Sequence, residues 1–469
     1  MNSQQPHYLS RLWTLFKIAL RGDEKDFISG NLNRAIFLLS VPMILEMAME
    51  SLFAVADVFW VAKVSVDAVA TVGLTEAVLM LVYSVAIGLS MAATGMIARR
   101  IGEGKPKKAA DAAFQAMVLA FIVALVVAAI GGFFAEDILA LMGASQNLIE
   151  KGSGYTRIMF MGNITIMFLF LLNAVFRGAG DASLAMRSLW LANGLNLILD
   201  PCLIFGWGPF PELGVQGAAV ATNLGRGSGV VFQLFILFGG RGVIKIASKN
   251  MRVQSALLWR LFKVSIGGVS QYLIGSASWI FLARIVNIFG PDVFAGYTIS
   301  FRIIMFTILP SWGLSMAAAT LVGQNLGAKQ PQRAEDSAWR CALYNMLFLL
   351  VVSLIFGYFA REIVMFFSQE AEVVKYGSMS LRYICFGYVF FAYGMVINQA
   401  FNGAGDTRTP TLVSLIAYWL FQVPFAYMVA VAWGWGAQGV FITIAISISL
   451  YAVISIMLFR RGKWKTVEI

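Results

Sequence analysis

Long apolar stretches follow one another along almost the whole of this 469-residue sequence. Hydrophobic residues make up 59% of it and charged residues 13%, whereas soluble globular proteins have about 45–50% and about 25%. A helix of about 20 apolar residues crosses a bilayer with its backbone hydrogen bonds satisfied internally. We therefore predict an all-α polytopic membrane protein. Its twelve predicted spans are 36–60, 74–98, 112–134, 154–176, 183–207, 215–239, 257–289, 294–322, 337–359, 376–401, 411–433 and 437–459.

A polar segment at 241–256 separates the predicted spans into two groups of six. Before the first span, residues 8–20 place apolar side chains on one face of a helix and basic side chains on the opposite face, which indicates an amphipathic helix in the membrane interface. The predicted parts are an N-terminal interfacial and cytoplasmic segment (1–30), an N-lobe (31–240), a cytoplasmic linker (241–256), a C-lobe (257–460) and a cytoplasmic tail (461–469).

Basic residues are distributed unevenly between the two sets of loops. Most of the 35 Lys and Arg residues lie in the termini and in loops on the same side as the termini, Arg177 among them, whereas the other side contains Lys63, Lys151, Arg361 and Lys375. Cytoplasmic loops carry the excess of positive charge. We therefore expect both termini in the cytoplasm of a prokaryote, with the protein in its cytoplasmic (inner) membrane. The net charge of +11 reflects topology, and no nucleic-acid partner is predicted.

Two motifs recur at one constant offset along the chain. Residues 88–93 (GLSMAA) recur at 313–318, and residues 173–181 (NAVFRGAGD) recur as 398–406 (NQAFNGAGD). Each copy contains an even number of predicted spans, so both insert in the same direction. We predict two homologous six-helix bundles related by a pseudo-two-fold axis along the membrane normal, an arrangement typical of transporters that work by alternating access. The glycines of the GAGD turns should end a helix, and their aspartates should cap the next one.

Acidic residues inside the predicted spans are costly and indicate function. Glu46, Glu50 and Asp57 lie on one face of the first span, and Asn196 lies one turn before Asp200 in the fifth. Their carboxylate and amide oxygens could bind a sodium ion, and the same carboxylates could carry protons instead. Because the equivalent positions of the second half are not acidic, we predict that ion coupling belongs to the N-lobe.

Other residue patterns limit the remaining possibilities. Pro42 lies one turn before Glu46 and would allow the first helix to bend. Aromatic and amide residues of the second half, Gln271, Tyr272, Trp279 and Tyr297, are candidates for a substrate cavity. The sequence contains no nucleotide-binding loop, no metal-ligand cluster and no nucleophile–base set, so we predict no enzyme and no cofactor other than the coupling ion. We expect a monomer that contacts membrane lipid and a small organic substrate.

Several motifs together resemble the multidrug and toxic compound extrusion (MATE) family. They are Pro42 with Asp57, Asn173 with the GAGD turn that follows it, and residues 196–201 (NLILDP), 211–222 (PELGVQGAAVAT) and 321–328 (LVGQNLGA). The resemblance extends from about residue 30 to about residue 460. It implies two six-helix lobes around a central cavity and export of drugs by sodium or proton antiport.

The resemblance also implies which residues act. In the branch similar to the DNA-damage-inducible-F type, the working site lies in the N-lobe, and its roles fall on Asp57, Asn173, Asn196 and Asp200, with Pro42 as the bending point. Asn173 enters through the resemblance alone. Another branch uses acidic residues in helices 7 and 10, which this sequence lacks.

The leading hypothesis is a secondary active exporter of small amphipathic or cationic organic compounds, coupled to protons or sodium. One alternative is a flippase for a lipid or a lipid-linked saccharide with the same fold, which should line its cavity with arginines. An alternative of another class is a membrane scaffold or sensor that transports nothing.

Overall fold

The computed structural model describes residues 8–467. The first seven residues of the predicted N-terminal segment and the last two of the predicted tail lie outside the described part. Within residues 8–467, an N-terminal helix α1 (Tyr8–Arg21) precedes twelve helices that are long and apolar enough to cross a membrane. These are α2 Leu32–Ala62, α3 Val66–Gly102, α4 Pro106–Phe133, α5 Gln146–Gly178, α6 Ala182–Phe205, α7 Val215–Gly239, α8 Ser255–Asn287, α9 Pro291–Gly327, α10 Pro331–Tyr358, α11 Ala371–Ala404, α12 Arg408–Ala432 and α13 Gly436–Arg460.

The twelve predicted spans are confirmed, and most helices extend beyond them at one or both ends. Helix α3 begins well before the predicted start at residue 74, because Ser65 caps it and its side chain accepts a hydrogen bond from the backbone N–H of Ala68 at 3.0 Å. Polar turns at helix ends reduce the local hydropathy without interrupting the helix. An apolar window therefore finds the centre of each helix and misses its ends.

The internal repeat is visible in the helix lengths. Helices α3 and α9 each have 37 residues, and α4 and α10 each have 28. The two-bundle architecture predicted from the repeated motifs is confirmed, because one hydrophobic core is formed almost entirely by α2–α7 and another by α8–α13. Between them, residues 240–254 contain a short 3₁₀ turn, Ser248–Asn250.

The two GAGD turns have the same backbone but different side-chain contacts. Gly180 and Gly405 adopt φ of +87° and +90°, the left-handed region that favours glycine. Asp406 accepts a hydrogen bond from the backbone N–H of Thr409 at 3.0 Å and so caps α12 as predicted. For Asp181 the prediction was wrong, because its carboxylate is used by an ion pair with Lys25 at 3.1 Å.

The two bundles touch closely at the end of the molecule that carries the N-terminal segment. Gly102 of α3 lies against the backbone of Gln324 in α9, and Gly327 lies against the backbone of Arg99, with no room for a Cβ at either glycine. The side-chain amide of Gln324 also donates to the carbonyl of Gly178 at 3.1 Å. We call this the closed end; the sequence predicts that it faces the cytoplasm.

The N-terminal segment crosses the closed end from one bundle to the other. Lys25 pairs with Asp181 of the first bundle. A few residues later, Arg333 of α10 in the second bundle donates to the carbonyl of Ser29 at 2.8 Å. Phe27 lies between these contacts and is only 2% exposed. Burial of this aromatic ring therefore holds the N-terminal segment across the boundary between the two bundles, which we call the seam.

Replacing Phe27 by alanine should lower the unfolding free energy by about 3 kcal/mol, because a buried Phe→Ala change leaves a cavity. Thermal unfolding of the purified protein in detergent measures the effect. Phe366→Ala is the matched control, since that ring is 86% exposed and its removal should change little. Equal melting temperatures for the two variants would contradict the anchoring role of Phe27.

Candidate functional site

Helix α2 carries the three predicted acidic residues into the interior of the first bundle. Glu46 is fully buried, and Glu50 and Asp57 are partly buried. The helix continues through Pro42 without a break. Just after this proline, Gly313 of α9 lies against the backbone of Met43, so α2 and α9 are in close contact there. The bending role of Pro42 stays a prediction.

The deepest part of the site is an ion pair between Glu46 and Arg177. Arg177 Nη1 donates to Glu46 Oε1 at 2.5 Å, and Asn173 Nδ2 donates to the same oxygen at 3.0 Å. Gln233 of α7 in turn donates to Asn173 Oδ1 at 2.5 Å. Asn173 and Arg177 are one turn apart on α5, which presents both to α2. The structure thus joins Asn173 directly to Glu46.

The sequence-based placement of Arg177 in a cytoplasmic loop was wrong. Arg177 is only 5% exposed, because α5 continues to Gly178 and turns this side chain inward toward α2. The charge at the end of an apolar span was interpreted as a loop residue. Its partner Glu46 lies far away in the sequence, so no local pattern could show the pairing.

The repeat-related positions in the second bundle make the same contact with neutral side chains. At the constant offset, Gln271 takes the place of Glu46 and Asn402 the place of Arg177. Asn402 Nδ2 donates to Gln271 Oε1 at 3.3 Å. The repeat therefore preserves the pairing geometry while the charge is confined to the first bundle.

Glu50 of α2 is directed toward α6, and Asp200 of α6 is directed toward α2. Glu50 Oε2 accepts a hydrogen bond from Asn193 of α6 at 3.0 Å. With its amide nitrogen toward the carboxylate, Asn196 donates to Asp200 Oδ2 at 2.9 Å and accepts from the backbone N–H of Thr222 at 3.0 Å. The structure therefore brings together the predicted acidic face of α2 and the Asp/Asn face of α6.

Asp57 belongs to the same electrostatic group as Asp200. Their carboxylates are close enough for the two charges to interact. Arg226 of α7 also interacts with Asp57, and its guanidinium donates to the hydroxyl of Tyr83 at 3.1 Å. The arginine thus partly compensates the charge of Asp57, while its hydrogen bond goes to a tyrosine.

Two further residues of this group were missed from the sequence. Glu76 of α3 interacts electrostatically with Arg226 and Asp57. It stands near the beginning of the predicted span 74–98, and the sequence analysis did not single it out. Thr222 of α7 contacts Asn196, but its side chain carries no charge that would draw attention within an apolar span. Glu76 could have been found by counting every acidic residue inside the predicted spans.

A cavity of about 270 Å³ lies between the two bundles, next to the closed end. Such a volume lies near the lower limit for small-molecule sites. One wall is polar and charged, because Glu46, Glu50 and Arg177 of the first bundle line it. The opposite wall comes from the second bundle and includes Tyr272 and Trp312.

Only some of the aromatic and amide residues predicted for a substrate cavity belong to this cavity. Tyr272 lines it, and Gln271 contacts the lining residue Asn402. Tyr297 is 4% exposed and stacks on Phe441 at 6.2 Å, and Trp279 packs on Phe301 at 4.6 Å. These two rings lie on helix faces that pack within the second bundle, so they do not line this cavity.

Comparison with known proteins places the chain and its fold in a family. A family model for MatE matches residues 42–202 and 266–428, one segment in each bundle. The chain belongs to the MatE family. Members of the family are transporters, so this protein is a membrane transporter and not an enzyme, as predicted.

Three similar proteins illustrate the range of the family. The probable multidrug resistance protein NorM of Thermotoga maritima is 26% identical, and the match covers 97% of each chain. A protein of Shewanella oneidensis named FAD transporter is 25% identical over 86% of this chain and 89% of its own. A crystal structure of MATE in the straight conformation has a TM-score of 0.87 and 27% identity, covering 95% of this chain and 97% of its own.

Breaking the buried ion pair should destabilise the protein. Arg177→Asn leaves Glu46 without its charge partner and should cost about 3 kcal/mol of unfolding free energy. Adding Glu46→Gln recreates the neutral pair of the second bundle and should recover a large part of that loss. Thermal unfolding of both variants and of Arg361→Asn, an exposed-residue control, measures the effect. If Arg177→Asn and Arg361→Asn have equal stability, the pair has no role in holding α2.

Proposed function

We propose that this protein is a secondary active exporter that exchanges small amphipathic, cationic organic compounds for protons or sodium ions by alternating access. The proposal depends on one observation above the others. Asp57 on α2 and Asp200 on α6 bring two carboxylates close enough for their charges to interact inside an apolar bundle. Two like charges at such a site are unfavourable until a proton or a cation reduces the repulsion.

Helix α2 supplies the coupling between ion and cargo. It carries Asp57 at the ion site and also Glu46 and Glu50 on the wall of the cavity. When an ion binds or leaves Asp57, α2 gains or loses a contact with α6. Because the same helix forms the cavity wall, this change alters the cargo site. Binding at the two sites is therefore linked, as antiport requires.

The charge of the cavity wall supports a cationic cargo. Arg177 is paired with Glu46, whereas Glu50 accepts a hydrogen bond from the neutral amide of Asn193 and interacts electrostatically with Arg226, which lies outside the lining. Among the described residues that line the cavity, two carboxylates therefore stand against one guanidinium. A flippase for an anionic lipid-linked saccharide would need the opposite polarity. Because the Shewanella relative is named FAD transporter, an anionic flavin belongs among the test compounds.

Gradient-driven uptake of ethidium, a fluorescent organic cation, into proteoliposomes tests antiport. A proton gradient and a sodium gradient are imposed separately. Wild type should respond to one of them, and Asp57→Asn should fall to the level of protein-free liposomes because the coupling carboxylate is gone. Asp67→Asn is the control, since this acid is exposed at the start of α3 and pairs with Lys151. Full transport by Asp57→Asn would refute coupling at this residue.

Equilibrium binding of ethidium tests the cavity charge without transport. Glu50→Gln should weaken binding about tenfold or more, because a charge-assisted contact is replaced by a neutral one. Glu136→Gln, which changes an exposed acid outside the cavity, should bind ethidium like wild type. If both variants bind equally well, Glu50 does not select cations.

A further inference from the structure

Two adjoining cavities lie at the seam of the bundles, on the surface of the closed end. The first is polar, has a volume of about 460 Å³ and is lined by Asn31 of the N-terminal segment and by Arg333, Asp336 and Arg340 of α10. The second, which we call the apolar groove, has a volume of about 770 Å³. Its walls come from α1, α2, α9 and α10 and include Leu12, Phe37, Val41, Ile44, Leu314 and Phe348.

The polar cavity and the apolar groove are continuous. Asn31 lines both of them. Arg340 of the polar cavity donates to Asn33 Oδ1 at 2.8 Å, and Asn33 lines the apolar groove. Together they form one site with a polar head and an apolar body, which is the shape of an amphipathic ligand.

The dimensions of the groove fit an acyl chain. Its lining extends along α2 from Asn31 to Ile44, a rise of about 20 Å in an α-helix. The hydrocarbon half of one bilayer leaflet is about 15 Å thick. A fatty acyl chain that starts at the polar cavity therefore reaches the end of the groove within a single leaflet.

The charges at the polar cavity favour an anion. Three guanidinium groups line the combined site, those of Arg34, Arg333 and Arg340, against one carboxylate, that of Asp336. Outside the lining, Glu24 pairs with Arg34 and Asp26 interacts with Arg333. Arg333 is committed to backbone carbonyls of the N-terminal segment. Arg340 is exposed and uses one N–H group for Asn33, and a guanidinium has five such groups. The side chain can therefore bind a phosphate oxygen and keep its contact with Asn33.

The groove is separate from the central cavity. Leu314 and Pro310 of α9 line the groove, whereas Trp312 and Met316 line the central cavity. These residues point from opposite faces of the same helix. A molecule in the groove is thus outside the cargo site and faces the surrounding membrane.

We propose that the polar cavity and the apolar groove together bind one anionic phospholipid. Its phosphate lies at Arg340, and one acyl chain follows α2 between α9 and α10. The lipid contacts α2 of the first bundle and α9 and α10 of the second. This consequence rests on the alternating access proposed above: if opening the closed end separates these helices, the lipid binds the closed arrangement more tightly and shifts the population toward it.

Lipid binding to the purified full-length protein tests the site. Phosphatidylglycerol and phosphatidylcholine are added separately, and we measure both the retained lipid by native mass spectrometry and the rise in melting temperature relative to each variant without lipid. Wild type should retain phosphatidylglycerol in preference to phosphatidylcholine. Arg340→Gln should weaken phosphatidylglycerol binding about tenfold, and Arg340→Lys should keep part of the preference. Phe348→Ala should weaken binding through the acyl chain.

Matched controls separate this site from general membrane contacts. Arg361→Gln removes an exposed charge near the other end of the molecule, and Leu354→Ala removes an apolar side chain on α10 that is 66% exposed. Both should retain phosphatidylglycerol as wild type does. Glycerol phosphate, which has no acyl chain, should not raise the melting temperature. Equal retention of the two lipids, equal loss in Arg340→Gln and Arg361→Gln, or full stabilisation by glycerol phosphate would each overturn the proposal.

Discussion

The free-energy cost of a charge in an apolar interior determines how α2 is held. A buried ion without a partner costs several kcal/mol, and Glu46 is fully buried. Its Oε1 is shared by Arg177 and Asn173 of α5, and Asn173 is held by Gln233 of α7. One carboxylate on α2 therefore fixes the position of α5 directly and that of α7 through a second hydrogen bond. The other polar groups of the site are arranged around this cluster.

Helix α2 connects three sites, the apolar groove, the central cavity and the Asp57–Asp200 site, at three positions along its length. Near its start it forms a wall of the apolar groove, in the middle Glu46 and Glu50 face the central cavity, and near its end Asp57 approaches Asp200. Pro42 lies within the stretch that lines the groove, one turn before Glu46, and a proline inside a helix removes one backbone hydrogen bond. Because the helix is continuous, a molecule or ion bound at any one of these sites influences the other two sites.

Much of the fold could be predicted from the sequence, and less of the site. The twelve spans and the repeat are strong signals, since each involves many residues at once. The pairing of Glu46 with Arg177 could not be predicted, because it depends on the inward turn of one side chain at a helix end. The faces of Trp279 and Tyr297 were equally hidden: a span that is apolar all round gives no amphipathic pattern to show which side faces a cavity.

Comparison of the neutral pair Gln271–Asn402 with the charged pair Glu46–Arg177 indicates the role of the charges in the first bundle. Gln271 and Asn402 make the same contact between equivalent helices with no charge. A buried ion pair is in general no better for stability than a well-packed neutral pair, because desolvation offsets the attraction. The geometry of the repeat therefore does not require Glu46 and Arg177 to be charged. Glu46 and Arg177 both line the central cavity, so the pair, although neutral in sum, places a dipole on the wall of the first bundle, whereas the lining residues of the second bundle are uncharged.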